Sequence, residues 1–429
     1  MTILFKNAAI PDRTAPDHKR RVCLAVDGEY ISYVGEDLPD GEFDRTVDCY
    51  DALLVPGFVN AHCHSAMTLF HSLGGGLPTQ RWLDEAILPA EDRLTPELTE
   101  LASLWAIAEM IAGGTTSFSD MYFFCDATAK AAASAGIKAN IARSVVSFDP
   151  DADPASESRV REAIALYDEW DGVGGVKIDF SLHAEYTNVP RTVEYLAKIA
   201  ADRGAMMQIH LSETSREHDK CVAKYGKTPT AFFDSLGALN ERTVLAHCVH
   251  VTPEDIALIA ERGATVVHCP RSNLKLGSGV APLRSMLDAG VNVALGTDGA
   301  ASNNRLSMLD EYTTAALIHP GVSQKADLFA PAELLPLLSE SGAKAQGRAD
   351  TSELKAGMKA DLCLLDASAP GAYPMLDAAD HLAYTANAAQ VKMTVCDGCV
   401  LYENGEYTTI DIEKLRFDFH KAVSGFYNV

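Results

Sequence analysis

The chain has 429 residues, and its 59 acidic side chains outnumber 36 basic ones, for a formal net charge of -23. That balance argues against nucleic acid or an anionic membrane surface as a partner, because both repel an acidic protein. The apolar share, 47%, is that of a globular protein, and no apolar run approaches the roughly 20 residues needed to cross a bilayer. Met1–Lys6 shows no signal-peptide pattern, so a cytoplasmic location is expected and the ten cysteines read as reduced thiols.

In chain order, residues 1–56 read as short strands: Leu4-Phe5, Val22–Val26, Tyr30–Val34 and Arg45–Asp48. Residues 57–349 alternate strand and helix. Apolar strand candidates lie at 53–62, 115–121, 138–146, 175–183, 205–211, 243–248, 264–269 and 292–297. Thr95-Pro96-Glu97 and Thr252-Pro253-Glu254 are helix starts, with an N-cap hydroxyl, proline at the first helical position and an acid in the first turn. Residues 350–429 return to strands, at Asp361–Asp366, Val391–Val395 and Cys399–Glu403, and close on a helix. Neither terminal segment buries much core alone. The expected fold is therefore α/β: a (β/α)8 TIM-type barrel over 57–349, with a small discontinuous β-sandwich built from 1–56 and 350–429. The alternative is a doubly wound sheet, but no G-x-G-x-x-G follows any strand, which disfavours a dinucleotide fold. Cys396-Asp397-Gly398-Cys399 matches C-x-x-C, but Asp-Gly between two strand-like runs reads first as a hairpin turn.

His62-Cys63-His64 closes the first apolar run. On a strand, residues i and i+2 share a face, so the two imidazoles project together from a stiff support. Cys63, Cys248 and Cys269 each follow a histidine; on a strand such residues point away from the site and read as buried fillers. Of thirteen histidines, six fall at or just past strand ends: His62, His64, His183, His210, His247 and His268. Asp298 ends the eighth strand. In a (β/α)8 barrel these ends form one face, and closure brings the first and eighth strands together. His62, His64, His210 and Asp298 then offer three imidazoles and a carboxylate, a set suited to zinc or ferrous iron and to activating water. Glu213, just past the fifth strand, is the candidate proton shuttle, and His247 the candidate that orients hydroxide or polarises substrate. His250 reads as structural.

Pro56–His64, His210-Leu211-Ser212-Glu213-Thr214 and Gly296-Thr297-Asp298-Gly299 together resemble the amidohydrolase superfamily. More narrowly, Trp82-Leu83, Leu88–Leu94, Ala246–His250, Ser272–Gly279 and Asp298–Asn304 resemble its 5′-methylthioadenosine/S-adenosylhomocysteine deaminases. The resemblance implies hydrolytic deamination of a 6-aminopurine nucleoside. It implies one divalent metal, zinc or Fe2+, on His62, His64, His210 and Asp298, with Glu213, His247 and Asp298 catalytic. It further implies Glu91 on the ribose hydroxyls, Trp82, Arg143, His183 and Ser302 lining the nucleoside pocket, and Arg159 at the substrate's tail. Binuclear relatives carry a carboxylated lysine at the end of strand four; here Lys177 lies near that strand's start, which favours a single metal. A homo-oligomer is a family expectation. The rivals are a guanine, triazine or cyclic-amide hydrolase with the same site, and a non-catalytic barrel.

Overall fold

The computed structural model describes residues 1–77 and 79–428. Pro78, in the long segment after the first barrel strand, and Val429 lie outside the described residues. Eight parallel strands form the central sheet: β1 (Phe58–His64), β2 (Thr115–Tyr122), β3 (Lys138–Val145), β4 (Val176–Leu182), β5 (Met207–Leu211), β6 (Thr243–His247), β7 (Thr265–His268) and β8 (Asn292–Leu295). Each pairs with the next in parallel register. The strands are rich in Val, Ile and Ala and buried along both faces, as a sheet wrapped in helices requires.

Closure of the ring depends on a break. After β8 the chain bends at Gly296-Thr297, and Asp298-Gly299 pairs with Cys63 and His64 at the end of β1. A Cβ on Gly296 would sit 2.8 Å from the His62 carbonyl oxygen, so only glycine lets the two chains approach there. Asn60 locks the junction: its Oδ1 accepts the Thr297 N–H at 3.0 Å, and its Nδ2 donates to the Thr297 hydroxyl at 2.7 Å.

The expected strand 53–62 divides at Gly57. Ala52–Pro56 pairs antiparallel with Leu362–Asp366 in a second sheet, and the barrel strand begins at Phe58. That second sheet has nine strands drawn from both ends of the chain. It curls until its edge strand, Tyr30–Gly35, meets Lys359 through a bridge at Tyr30. Phe5, Leu24, Leu54, Leu362 and Val395 fill its interior. Cys396 and Cys399 pair across a tight hairpin with positive φ at Asp397 and Gly398, and all ten cysteines are free, so C-x-x-C is a turn.

The N-terminal end of the barrel is tied to this sheet by buried charge. Lys138 Nζ reaches Asp361 at 2.6 Å and Asp397 at 2.7 Å. Arg348 donates to the Ala139 and Gly175 carbonyls. Lys177 Nζ donates to the Gly347 carbonyl at 2.7 Å, at the end opposite the histidines. No helix among the described residues is long and apolar enough to cross a membrane.

Candidate metal centre and substrate cavity

The C-terminal ends of β1, β5, β6 and the β8 extension converge on one point. The nearest ligand atoms of His62, His64 and His210 lie within 4.8 Å of one another, and so do those of His62, His247 and Asp298. His64 Nε2 is 3.1 Å from Asp298 Oδ1 and 3.4 Å from His210 Nε2.

The backbone aims each ring. His64 Nδ1 donates to the Met121 carbonyl at 2.6 Å, and His210 Nδ1 to the His183 carbonyl at 2.8 Å. Carbonyls only accept, so each Nδ1 carries the hydrogen and each Nε2 is turned to the centre. His62 Nε2 is buried and has no hydrogen-bond partner. Asp298 sits at φ +57°, a left-handed conformation that a non-glycine residue holds at a cost. Its Oδ2 accepts from Ser272 at 2.6 Å and Ser302 at 2.8 Å, which leaves Oδ1 toward the imidazoles. An orphaned buried imidazole nitrogen among three histidines and a carboxylate fits a zinc-type divalent ion.

The electrostatics agree with that fit. Burial pushes His62 down to about 4 and His210 well below the ordinary histidine range. Burial also opposes charge on His64, but the hydrogen bond and charge of Asp298, together with the Asp120 charge and the Met121 carbonyl, outweigh it and raise His64 to about 9. Burial alone would raise Asp298; the adjoining imidazoles of His62 and His64 outweigh it and hold the carboxyl well below the usual carboxylate range. The centre thus presents His62 and His210 as neutral imidazoles, while the Asp298 carboxylate draws positive charge to His64.

A cavity of about 380 Å³ opens onto this centre, within the roughly 300–1,000 Å³ range of small-molecule sites. Glu213 lines it, with Oε1 accepting from the Ser278 hydroxyl at 3.1 Å. His247, at φ +73°, also lines it; its Nδ1 donates to Asn273 Oδ1 at 2.9 Å. Trp82 is 5% exposed, with its indole N–H bonded to the Leu73 carbonyl, and its ring faces the same cavity. Glu91 lines the cavity too; its Oε1 accepts from the Tyr122 hydroxyl at 2.7 Å, and burial raises its pKa.

His183, Arg159 and Ser302 are lining residues as well. Ser302 is nevertheless committed to Asp298, so its hydroxyl orients that carboxylate among the imidazoles. Arg143 is the exception: it does not line the cavity. Its Nε donates to Glu162 at 2.7 Å and its Nη1 to the Ser144 carbonyl, which turns the guanidinium toward the helix Ser158–Trp170. His268 is also elsewhere, with Nε2 paired to His319 Nε2 at 3.0 Å.

Reading the sequence assigns no role to Tyr122, Ser272, Asn273 or Ser278, because the partners of these side chains come from other segments. Ser272 and Asn273 lie inside the helix Pro270–Lys275 that follows β7, within a motif whose spacing does not reveal what each side chain touches.

The chain as a whole is similar to known proteins. A model described as the amidohydrolase family matches residues 53–401. A protein of Moorella thermoacetica named 5-methylthioadenosine/S-adenosylhomocysteine deaminase is 40% identical over 419 residues, covering 96% of this chain and 97% of its own. A zinc-bound structure named an adenosine deaminase, from Xanthomonas campestris, is 33% identical with a TM-score of 0.93, covering 100% of this chain and 99% of its own. Atrazine chlorohydrolase from Arthrobacter aurescens, complexed with zinc, is 25% identical with a TM-score of 0.91 over 98% of this chain and 100% of its own. Built on a barrel whose strand ends gather histidines and one aspartate around a cavity, and matched by that family's model over most of its length, this chain belongs to the amidohydrolase family.

Proposed function

We propose that the protein is a hydrolytic deaminase of 6-aminopurine nucleosides: S-adenosylhomocysteine, 5′-methylthioadenosine and adenosine. One observation carries the reading. A single cavity is lined by metal-type ligands and Glu213, as hydrolysis needs, and by the paired Trp82 and Glu91, as a nucleoside needs. His62, His64, His210 and Asp298 would hold one divalent ion, zinc by its donor set. When bound, that ion supplies a Lewis acid that acidifies water and stabilises developing negative charge. The position of Lys177, bonded to Gly347 at the far end of the barrel, supports one ion rather than two.

The chain's own residues supply the rest. Asp298, steadied by Ser272 and Ser302, takes a proton from the attacking water as oxygen adds to C6 of the purine. Glu213, steadied by Ser278, gives a proton to N1, so the ring accepts the electron pair. Asp298 then passes its proton to the exocyclic amine and the C6–N bond breaks; ammonia leaves, and the added hydroxyl returns its proton to Glu213 as C6 becomes the carbonyl of the inosyl product. His247, its Nδ1–H engaged by Asn273, turns Nε2 toward the water and keeps it in line. Glu91 accepts from the ribose hydroxyls through the oxygen that Tyr122 leaves free.

A guanine or triazine hydrolase would have no use for the Glu91 carboxyl. Ammonia release from S-adenosylhomocysteine, 5′-methylthioadenosine, adenosine and guanine tests the reading. The nucleosides should turn over and guanine should not. Turnover of guanine alone would overturn the assignment.

A further inference from the structure

His64 stands where the chain turns. It closes β1 and precedes the short turn Ser65–Phe70, whose residues are all buried. The first N–H groups of such a turn have no partner inside it, and the His64 side chain gives it no cap. The sheet is irregular here too: the register between β1 and β2 shifts between Asn60 and Cys63. The Ser65 N–H therefore needs a partner from elsewhere, because a buried donor left bare costs stability.

Asp120 supplies that partner. It lies on β2 opposite Cys63 and is fully buried. Its Oδ1 accepts the Ser65 backbone N–H at 2.5 Å and the Cys63 thiol at 3.7 Å. These are the residues on either side of His64. The next residue of β2, Met121, offers its carbonyl to His64 Nδ1 at 2.6 Å. Two consecutive residues of one strand thus hold His64, the first through its backbone neighbours and the second through its ring. Asp120 does not line the cavity, so anything it does for the site passes through His64. Its other oxygen, Oδ2, is buried with no hydrogen-bond partner. A bare buried carboxyl oxygen is unfavourable, and folds keep such groups mainly where they serve a site.

We propose that Asp120 is a positioning residue for His64: by accepting from Ser65 and Cys63 through Oδ1, it fixes the bend that aims His64 Nε2 at the centre. The proposal rests on the reading of His64 as a metal ligand. The hydrogen bonds carry the effect, with the Ser65 N–H as the stronger donor, since a thiol donates weakly.

The test compares the full-length wild type with Asp120→Asn, Asp120→Leu and Asp120→Ala. Asparagine keeps an acceptor oxygen for Ser65 and loses the charge; leucine keeps the bulk and loses the acceptor. Zinc affinity, read by competition with a chelator, should stay within about threefold of wild type in Asp120→Asn and fall about 10–100-fold in the other two, the usual effect of losing a support behind a metal-binding imidazole. With cobalt in place of zinc, the visible absorption bands report ligand geometry; they should match wild type in Asp120→Asn and change in the others. In the metal-free protein, amide exchange over residues 58–70 should be slow in the wild type and Asp120→Asn, and faster in Asp120→Leu and Asp120→Ala. Equal loss of zinc affinity in all three variants would show that the charge acts rather than the hydrogen bonds, and overturns the proposal. So does wild-type affinity in Asp120→Leu and Asp120→Ala. If those two variants do not fold, Asp120→Asn decides: wild-type affinity and bands support the proposal, and their loss overturns it. If the wild type binds no zinc, the metal reading fails instead, and amide exchange alone decides whether Asp120 holds the bend at His64.

Discussion

In the proposed reaction Glu213 would carry the most demanding role of any single side chain in the site, because the purine ring accepts electrons only if N1 is protonated. Its carboxyl is half-buried and touches Ser278, whose hydroxyl donates to it. A glutamine there keeps an acceptor oxygen for Ser278 but has no acidic proton. Glu213→Gln should therefore retain fold and metal while losing at least ~10²-fold in kcat, the usual scale of acid–base catalysis. A variant with wild-type kcat would reduce Glu213 to a loop residue. The convergence of His62, His64, His210 and Asp298 was readable from the sequence because a strand's two-residue period decides which side chains share a face, and each of these residues closes an apolar run. Their supports were not readable. The commitment of Ser302 to Asp298 and the turn of Arg143 toward Glu162 depend on what the neighbouring chain presents, which spacing along one segment does not encode.

At the scale of elements, the segment after β1 is longer than a barrel connection needs, and it bears both Trp82 and Glu91. It resolves into short helices, Thr79–Trp82 and Leu88–Glu91 among them, which the sequence showed only as a long loop. The C-terminal helix Ile412–Tyr427 braces this region. Its Tyr427 hydroxyl donates to the Leu69 carbonyl at 2.8 Å, and Arg93 lies over the Phe426 ring and bonds that residue's carbonyl. Phe419 stacks on Trp105 at 4.5 Å, on the helix that follows the loop. The loop is thus held as a wall of the cavity, and its acid can meet a sugar. A charge-assisted hydrogen bond is worth about 1.5–3 kcal/mol. Glu91→Gln should accordingly lose roughly tenfold or more in kcat/KM on adenosine, with little change on free adenine and none in metal content. Nucleoside preference that survives intact would remove Glu91 from the sugar and leave the nucleoside assignment without its main structural support.

At the scale of the whole molecule, alternating strands and helices with caps at Thr95 and Thr252 made the barrel legible, and both threonines do cap helices. The joining of the two chain ends into one curled sheet was legible only in outline. Its closure through Tyr30 and Lys359, and the buried Lys138 with Asp361 and Asp397, pair residues more than 200 positions apart, which local pattern does not reach. The break in β8 follows the same rule: Gly296 is needed because the His62 backbone lies against it. This long-range closure makes the centre, since it carries Asp298 to the histidines of β1. The most direct test is to strip the protein of metal and titrate it with zinc while following ammonia release from 5′-methylthioadenosine. Activity should be absent at the start, rise in proportion to bound zinc and level off at about one ion per chain, the stoichiometry of a single closed ligand set; in His210→Ala it should not rise at all. Full activity in the stripped protein, or a plateau only at two ions per chain, would contradict the account.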